Sequence, residues 1–152
     1  MTIGEYWEKY LKESNQNADE VGFSGEISFE VEKNPIVGTE RLALVLGGKK
    51  TVMFSAYDSY GINMENLPVS GEMYIVEDST NEPRAIIEIV SVNVIPFCDI
   101  SWELASRDGE DSSFDEWREK TLDLMEDEAA LCGFDFKPDS KVVCEIFRVV
   151  YR

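Results

Sequence analysis

Ile3, Tyr6, Trp7, Tyr10 and Leu11 recur at helical spacing behind Thr2-Ile3-Gly4-Glu5. This pattern predicts an amphipathic helix that ends near Ser14 and is capped reciprocally by Thr2 and Glu5. Its aromatic stripe reads as a face packed on a core. Ile27, Phe29 and Val31 alternate with Ser28, Glu30 and Glu32 between Gly25 and Pro35, the pattern of a half-buried strand. Thr39 is placed to cap a second helix carrying Leu42, Val45 and Leu46 on one face, and Gly47-Gly48 ends it, both glycines being expected at positive φ.

Thr51, Val52 and Phe54 then open a strand that gives way at Tyr57-Asp58-Ser59-Tyr60-Gly61, a turn-prone loop. A turn at Leu67–Glu72 leads into a short strand from Met73 to Val76. The longest strand runs from Arg84 to Phe97. Ile87 and Ile89 begin it in one phase and Val90, Val92 and Val94 continue in the other, so a bulge or a corner is expected inside it. Residues 99–113 form an acidic connection containing Ser106-Arg107-Asp108-Gly109-Glu110-Asp111. Ser113 and Glu116 cap a long helix with Phe114, Trp117, Thr121, Leu124, Met125 and Ala129 at helical spacing, stopped by Gly133. A final strand from Val142 to Tyr151, rich in valine and aromatics, is expected to lie centrally. Five to six strands interrupted by about three helices, without βαβ alternation, place the chain in the α+β class with a small, strongly bent or closed sheet.

Composition narrows what this architecture serves. At 152 residues the chain reads as one domain, 1–152, able to bury a single core without disulfides. No apolar run reaches the roughly 20 residues that span a bilayer. Met1–Tyr10 lacks the basic-then-apolar order of a secretory leader, so a cytoplasmic location and no membrane partner are expected. Cys98, Cys132 and Cys144 have irregular gaps that suggest neither a disulfide framework nor a metal or redox motif; buried thiols are expected, with no metal and no cofactor. The absence of histidine removes His-dependent triads, HExxH zinc sites and imidazole acid–base chemistry. A formal charge of −17 disfavours duplex DNA, because binding it is driven by basic side chains that displace counterions.

Against that charge, Lys49 and Lys50 stand out at a helix-to-strand corner. A solvated turn would explain them. A short RNA or a nucleotide or nucleoside would also be accepted there, since positive charge is concentrated locally.

The order of these segments carries a family resemblance. A helix, Gly47-Gly48-Lys49-Lys50-Thr51, Ser55-Ala56-Tyr57-Asp58, a Pro-x-x-Gly turn and a strand ending Val94-Ile95-Pro96-Phe97 come first. An acidic glycine-containing loop, Phe114-Asp115-Glu116-Trp117-Arg118 and a terminal Val142–Tyr151 strand follow. Over residues 1–151 this resembles the ASCH domain, and within it a bacterial subgroup of about 150 residues formerly described as a domain of unknown function. The resemblance implies a PUA-like small bent β-barrel with helices across its openings, and an RNA- or nucleotide-binding cleft beside the G-x-K-x-x-T segment. Some smaller ASCH members are amidohydrolases that deacetylate acetylated cytidine with a lysine, a threonine and a glutamate. The lysine of that pattern falls on Lys50, the threonine on Met53, which has no hydroxyl, and the glutamate on Asp108, with Glu110 close enough to substitute.

Three functions therefore stand open. As a binding module, Lys49 and Lys50 meet a phosphate or base carbonyl, Ser55 and Asp58 hydrogen-bond a polar edge, and Tyr57 or Trp102 stacks on a ring. As an amidohydrolase acting on an acylated nucleoside, Lys50 is base or nucleophile, with Asp108 or Glu110 as its carboxylate partner. As a regulatory or scaffold protein, the chain has no small ligand. In each of the three, Tyr57 and Trp102 could equally fill the core and Glu110 and Asp111 be solvated loop charges.

Overall fold

The structure is a computed structural model that describes residues 1–29 and 35–152. Helix α1 (Ile3–Glu13) opens on the expected capping box, in which the Thr2 side chain accepts from the Glu5 N–H and Glu5 returns to the Thr2 N–H. Strand β1 (Gly25–Ser28) follows and stops one residue before buried Phe29; the predicted strand positions 30 and 31 lie outside the described residues. Helix α2 spans Pro35–Leu46 and so begins before Thr39, the predicted cap. Proline suits a first helical turn, where its missing N–H costs nothing. Of the two glycines that close α2, only Gly48 takes a positive φ, at 75°.

Strand β2 (Val52–Ala56) leads directly into a short helix α3 (Tyr57–Ile62), where a loop was expected. Asp58 in its first turn favours a helix start, and the Ser55 and Tyr60 hydroxyls, 2.7 Å apart, tie α3 to the strand it leaves. Strands β3 (Met73–Glu77) and β4 (Pro83–Pro96) come next. The acidic connection contains a short helix α4 (Trp102–Ala105) and 3-10 turns at Phe97–Asp99 and Ser106–Asp108, all missed by sequence periodicity because each is too brief to show one. Helix α5 (Phe114–Cys132) is capped by the Ser113 side chain and ends at Gly133 with φ 85°. Strand β5 (Lys141–Tyr151) completes the chain.

Among the described residues five strands form one mixed sheet in the order β1-β3-β4-β5-β2, with β1 parallel to β3 and the other pairs antiparallel. Strand β5 therefore lies inside the sheet, as its apolar composition predicts. Register shifts fall at Ile86/Ile87 and at Ile89/Ser91 of β4. The second sits where the apolar phase of the sequence changes, and it curls the sheet into a PUA-like half-barrel. Among the described residues no ladder joins the two edge strands, β1 and β2, so the curl leaves a seam.

Three apolar clusters hold the elements. The stripe of α1 (Tyr6, Trp7, Tyr10, Leu11) packs on Ile75 and Ile86. Leu42 and Val45 of α2 meet Ile87, Ile89 and Phe147. Trp117 of α5, fully buried, stacks on Phe97 with ring centroids 5.7 Å apart. Of the cysteines, only Cys144 is buried; Cys98 is exposed on its 3-10 turn and Cys132 is half-buried at the end of α5. None of the helices among the described residues is long and apolar enough to cross a membrane.

Candidate functional site

The corner after α2 splits the lysine pair. Lys49 is exposed, whereas Lys50 is 6% exposed and faces inward. Burying an ammonium is costly unless it is paired, and the acidic connection supplies the partners. Lys50 Nζ donates to Asp108 Oδ1 and, at 3.0 Å, to Glu110 Oε2.

Backbone contacts fix the connection over the corner. The Thr51 N–H donates to the Arg107 carbonyl at 2.8 Å. Gly109, at φ 72°, lies flat on the Lys49–Lys50 peptide, and a Cβ there would stand 2.9 Å from the Lys49 carbonyl oxygen. Only glycine satisfies both the left-handed backbone and this approach.

Cations from two helices surround the carboxylates. Arg41 Nε of α2 meets Glu110 Oε1 at 2.7 Å. Lys120 Nζ of α5 lies 2.5 Å from Asp111 Oδ2, 3.5 Å from Asp108 Oδ2 and 3.8 Å from Glu110 Oε2. Trp117 Nε1–H donates to Asp108 Oδ2 at 3.1 Å. Burial pushes Asp108 upward against the opposing pull of Lys50. Burial acts on Glu110 in the same direction, but Lys50, Arg41 and Lys120 outweigh it and hold Glu110 at about 2.

This cluster forms one end of a cavity of about 310 Å³ that fills the seam of the half-barrel. Ile27, Ser28 and Phe29 wall it from one edge of the sheet and Met53 and Phe54 from the other, while α5 closes it with Lys120, Thr121, Leu124, Met125 and Glu128. These α5 positions recur at three, four, seven, eight and eleven residues after Trp117, a single helical face.

The structure thus brings Lys50, Asp108 and Glu110 together, and places Met53 in the same cavity. It does not bring the other candidates there. Lys49 points to solvent. Ser55 bonds Tyr60, Asp58 is exposed, and Tyr57 lies under Lys141 Nζ, 5.4 Å from its ring centroid. Trp102 packs against Phe114 with ring centroids 5.9 Å apart and joins the core around Trp117. Five residues of extended chain carry Ser55 about 16 Å from Lys50, which is why sequence proximity misleads here. Arg41, Lys120, Trp117 and Thr121 were absent from the sequence-derived site. Their signal was faint, a polar or cationic residue adjoining the apolar stripe of a long helix.

A second, polar recess lies on the far side of Ile27, where Glu72, Tyr74, Tyr60 and Glu145 converge. Burial, with the neighbouring Glu72 charge, pushes Glu145 up to about 7.

Comparison with known proteins is consistent across sequence and structure. The family model described as ASCH domain matches residues 26–151. A protein of Enterococcus faecalis V583 from family DUF984 is similar, with 27% identity and a TM-score of 0.86, covering 98% of this chain and 88% of its own. So is an ASCH domain from Lactobacillus crispatus JV V101, with 25% identity and a TM-score of 0.87, covering 98% and 94%. No curated protein matches the chain. A half-barrel sheet matched over nearly its whole length, with the family's sequence pattern running through the lysine corner and the loop above it, identifies the chain as a member of the ASCH domain family.

Proposed function

We propose that this ASCH domain is a binding module for short RNA or for a nucleotide or nucleoside, and that the ligand enters the seam cavity beside Lys50. One observation carries the reading: a cavity of about 310 Å³, walled by Phe29, Met53 and Phe54, ends on a buried lysine held between two carboxylates. Apolar walls with a few convergent polar groups are the general form of a small-ligand site. Flat rings of Phe suit stacking on a base. The surrounding charge of −17 keeps long polyanions away and favours a short or single-unit ligand.

The test is titration of the purified protein with the four common nucleosides, their monophosphates and short single-stranded RNAs, followed by intrinsic tryptophan fluorescence and filter binding. Saturable binding that K50R and E110Q weaken supports the reading. Absence of binding to every member of the panel would refute it and favour a regulatory or scaffold role.

A hydrolytic role has its own support, because Lys50 reaches Asp108 and Glu110 inside a cavity. For Lys50 to attack or act as base, its ammonium must pass a proton to a carboxylate it touches, and Asp108, raised by burial, is the acceptor placed for it. Release of acetate from N4-acetylcytidine, lost in K50R, would establish this activity; binding without turnover would dismiss it.

A further inference from the structure

The hydrogen-bonding roles along the inner face of α5 are filled at two positions. Trp117 donates to Asp108 and Lys120 meets Asp111 at 2.5 Å. Leu124 and Met125 form apolar wall. Thr121 is different: it is 3% exposed, it lines the cavity, and among the described residues its hydroxyl has no hydrogen-bond partner. A threonine inside a helix commonly bonds back to the carbonyl four residues earlier, and here that bond is absent. Nor is the oxygen sealed in the core, as the unpartnered oxygens of Tyr6 and Ser59 are. A buried hydroxyl without a partner costs free energy unless something binds it.

The charge of the cavity's polar end is balanced. Lys50, Arg41 and Lys120 face Asp108, Glu110 and Asp111, and Glu128 adds a further carboxylate along the wall. Among the described residues, a phosphate entering here would meet at least as many anions as cations. A neutral ring with adjacent N–H and C=O groups would instead give its N–H to a carboxylate and take a hydrogen bond from a lysine.

We propose that the seam cavity takes an uncharged planar heterocycle through its donor–acceptor edge and excludes phosphate, and that the Thr121 hydroxyl is a positioning contact to that ring. The proposal rests on the nucleotide-type reading above and deepens it: the base enters, and the phosphate stays outside, on the side of exposed Lys49.

The test uses wild type, T121V and T121S with the four common nucleosides, 3-methyluridine and inorganic phosphate. Valine keeps the shape and removes the hydroxyl; serine restores it. Wild type should bind at least one nucleoside, T121V should bind it about tenfold more weakly at unchanged melting temperature, and T121S should recover most of the loss. For uridine, blocking the ring N–H in 3-methyluridine should also weaken binding, and millimolar phosphate should not compete. Equal affinity in T121V, competition by phosphate at lower concentration than the nucleoside, or no binding of any nucleoside by wild type would each overturn the proposal. Filter binding of short RNA separates the two levels: RNA bound equally by wild type and T121V, with no nucleoside bound by wild type, leaves the general reading standing and removes this one.

Discussion

Gly109 rests on the peptide between Lys49 and Lys50, so closely that a methyl group on its Cα would stand 2.9 Å from the Lys49 carbonyl oxygen. This contact, with the Thr51-to-Arg107 hydrogen bond of 2.8 Å beside it, sets the height of the acidic connection above the lysine. Asp108 and Glu110 flank Gly109 in sequence, so its position aims both carboxylates at one ammonium.

Replacing Gly109 with alanine should therefore disturb the site and the fold together. The left-handed backbone alone costs roughly 1–2 kcal/mol in a residue with a Cβ, and the clash with a carbonyl adds to it. G109A should lose about 2–4 kcal/mol in a denaturant titration, a melting temperature lower by roughly 5–15 °C. Retention of wild-type stability would show that the connection is not held against the corner in this way.

The buried cluster predicts non-additive substitutions. K50M leaves Asp108 and Glu110 facing each other, offset among the described residues by Arg41 and Lys120, and should cost about 2–4 kcal/mol. In the double variant K50M/D108N the asparagine oxygen still accepts from Trp117, and one stranded charge is gone. The double variant should be more stable than K50M alone, by about 1 kcal/mol or more in a double-mutant cycle. Additive losses would mean that Lys50 and Asp108 do not act as a pair.

Two glutamates set opposite pH limits. Glu110 is held at about 2, below its ordinary value of 4.5, so the stability it contributes is present above pH 4.5 and is lost as pH falls from there toward 2. Glu145 is raised to about 7 from 4.5, so the folded state binds its proton more tightly than the unfolded chain does, and the penalty for ionising it grows as pH rises through 4.5 to 7. Stability should peak between these limits. E145Q should gain about 1–2 kcal/mol at pH 8, after allowance for partial exposure, and nothing near pH 4. A gain of equal size at both pH values would assign the effect to packing and not to the titration of Glu145.

The polar recess around Glu145 also predicts a local effect. Tyr60 joins Ser55 at 2.7 Å and faces Glu145. Y60F removes the hydroxyl that stabilises the ionised Glu145, so the apparent titration of Glu145 followed by carboxyl NMR should move further up. An unchanged titration would place Tyr60 outside its hydrogen-bonding reach.

Elements whose pattern repeats over several turns or residues were legible in the sequence. The Thr2/Glu5 capping box, the α5 stripe, its Gly133 stop, the phase change in β4 and the interior position of β5 all follow from local periodicity and propensity, which a chain carries without reference to its tertiary partners. Short elements were not: α3, α4 and the 3-10 turns hold too few residues to display a period, and α2 begins at Pro35, earlier than its predicted cap. The importance of Lys50 and the acidic loop was readable from residue type and the family pattern, but the partners of Lys50 came from that pattern alone.

By itself, the sequence determined a half-buried, bent α+β domain of strongly negative charge with one lysine corner after its second helix. Only the tertiary structure decided which lysine turns inward, that Arg41 and Lys120 arrive from two different helices, and that Thr121 lines the same cavity as Met53. The reason is geometric. Helical and strand periods are written in neighbouring residues, whereas the seam of a half-barrel is closed by segments as far apart in sequence as Ile27 and Glu128, whose meeting depends on the curl of the whole sheet.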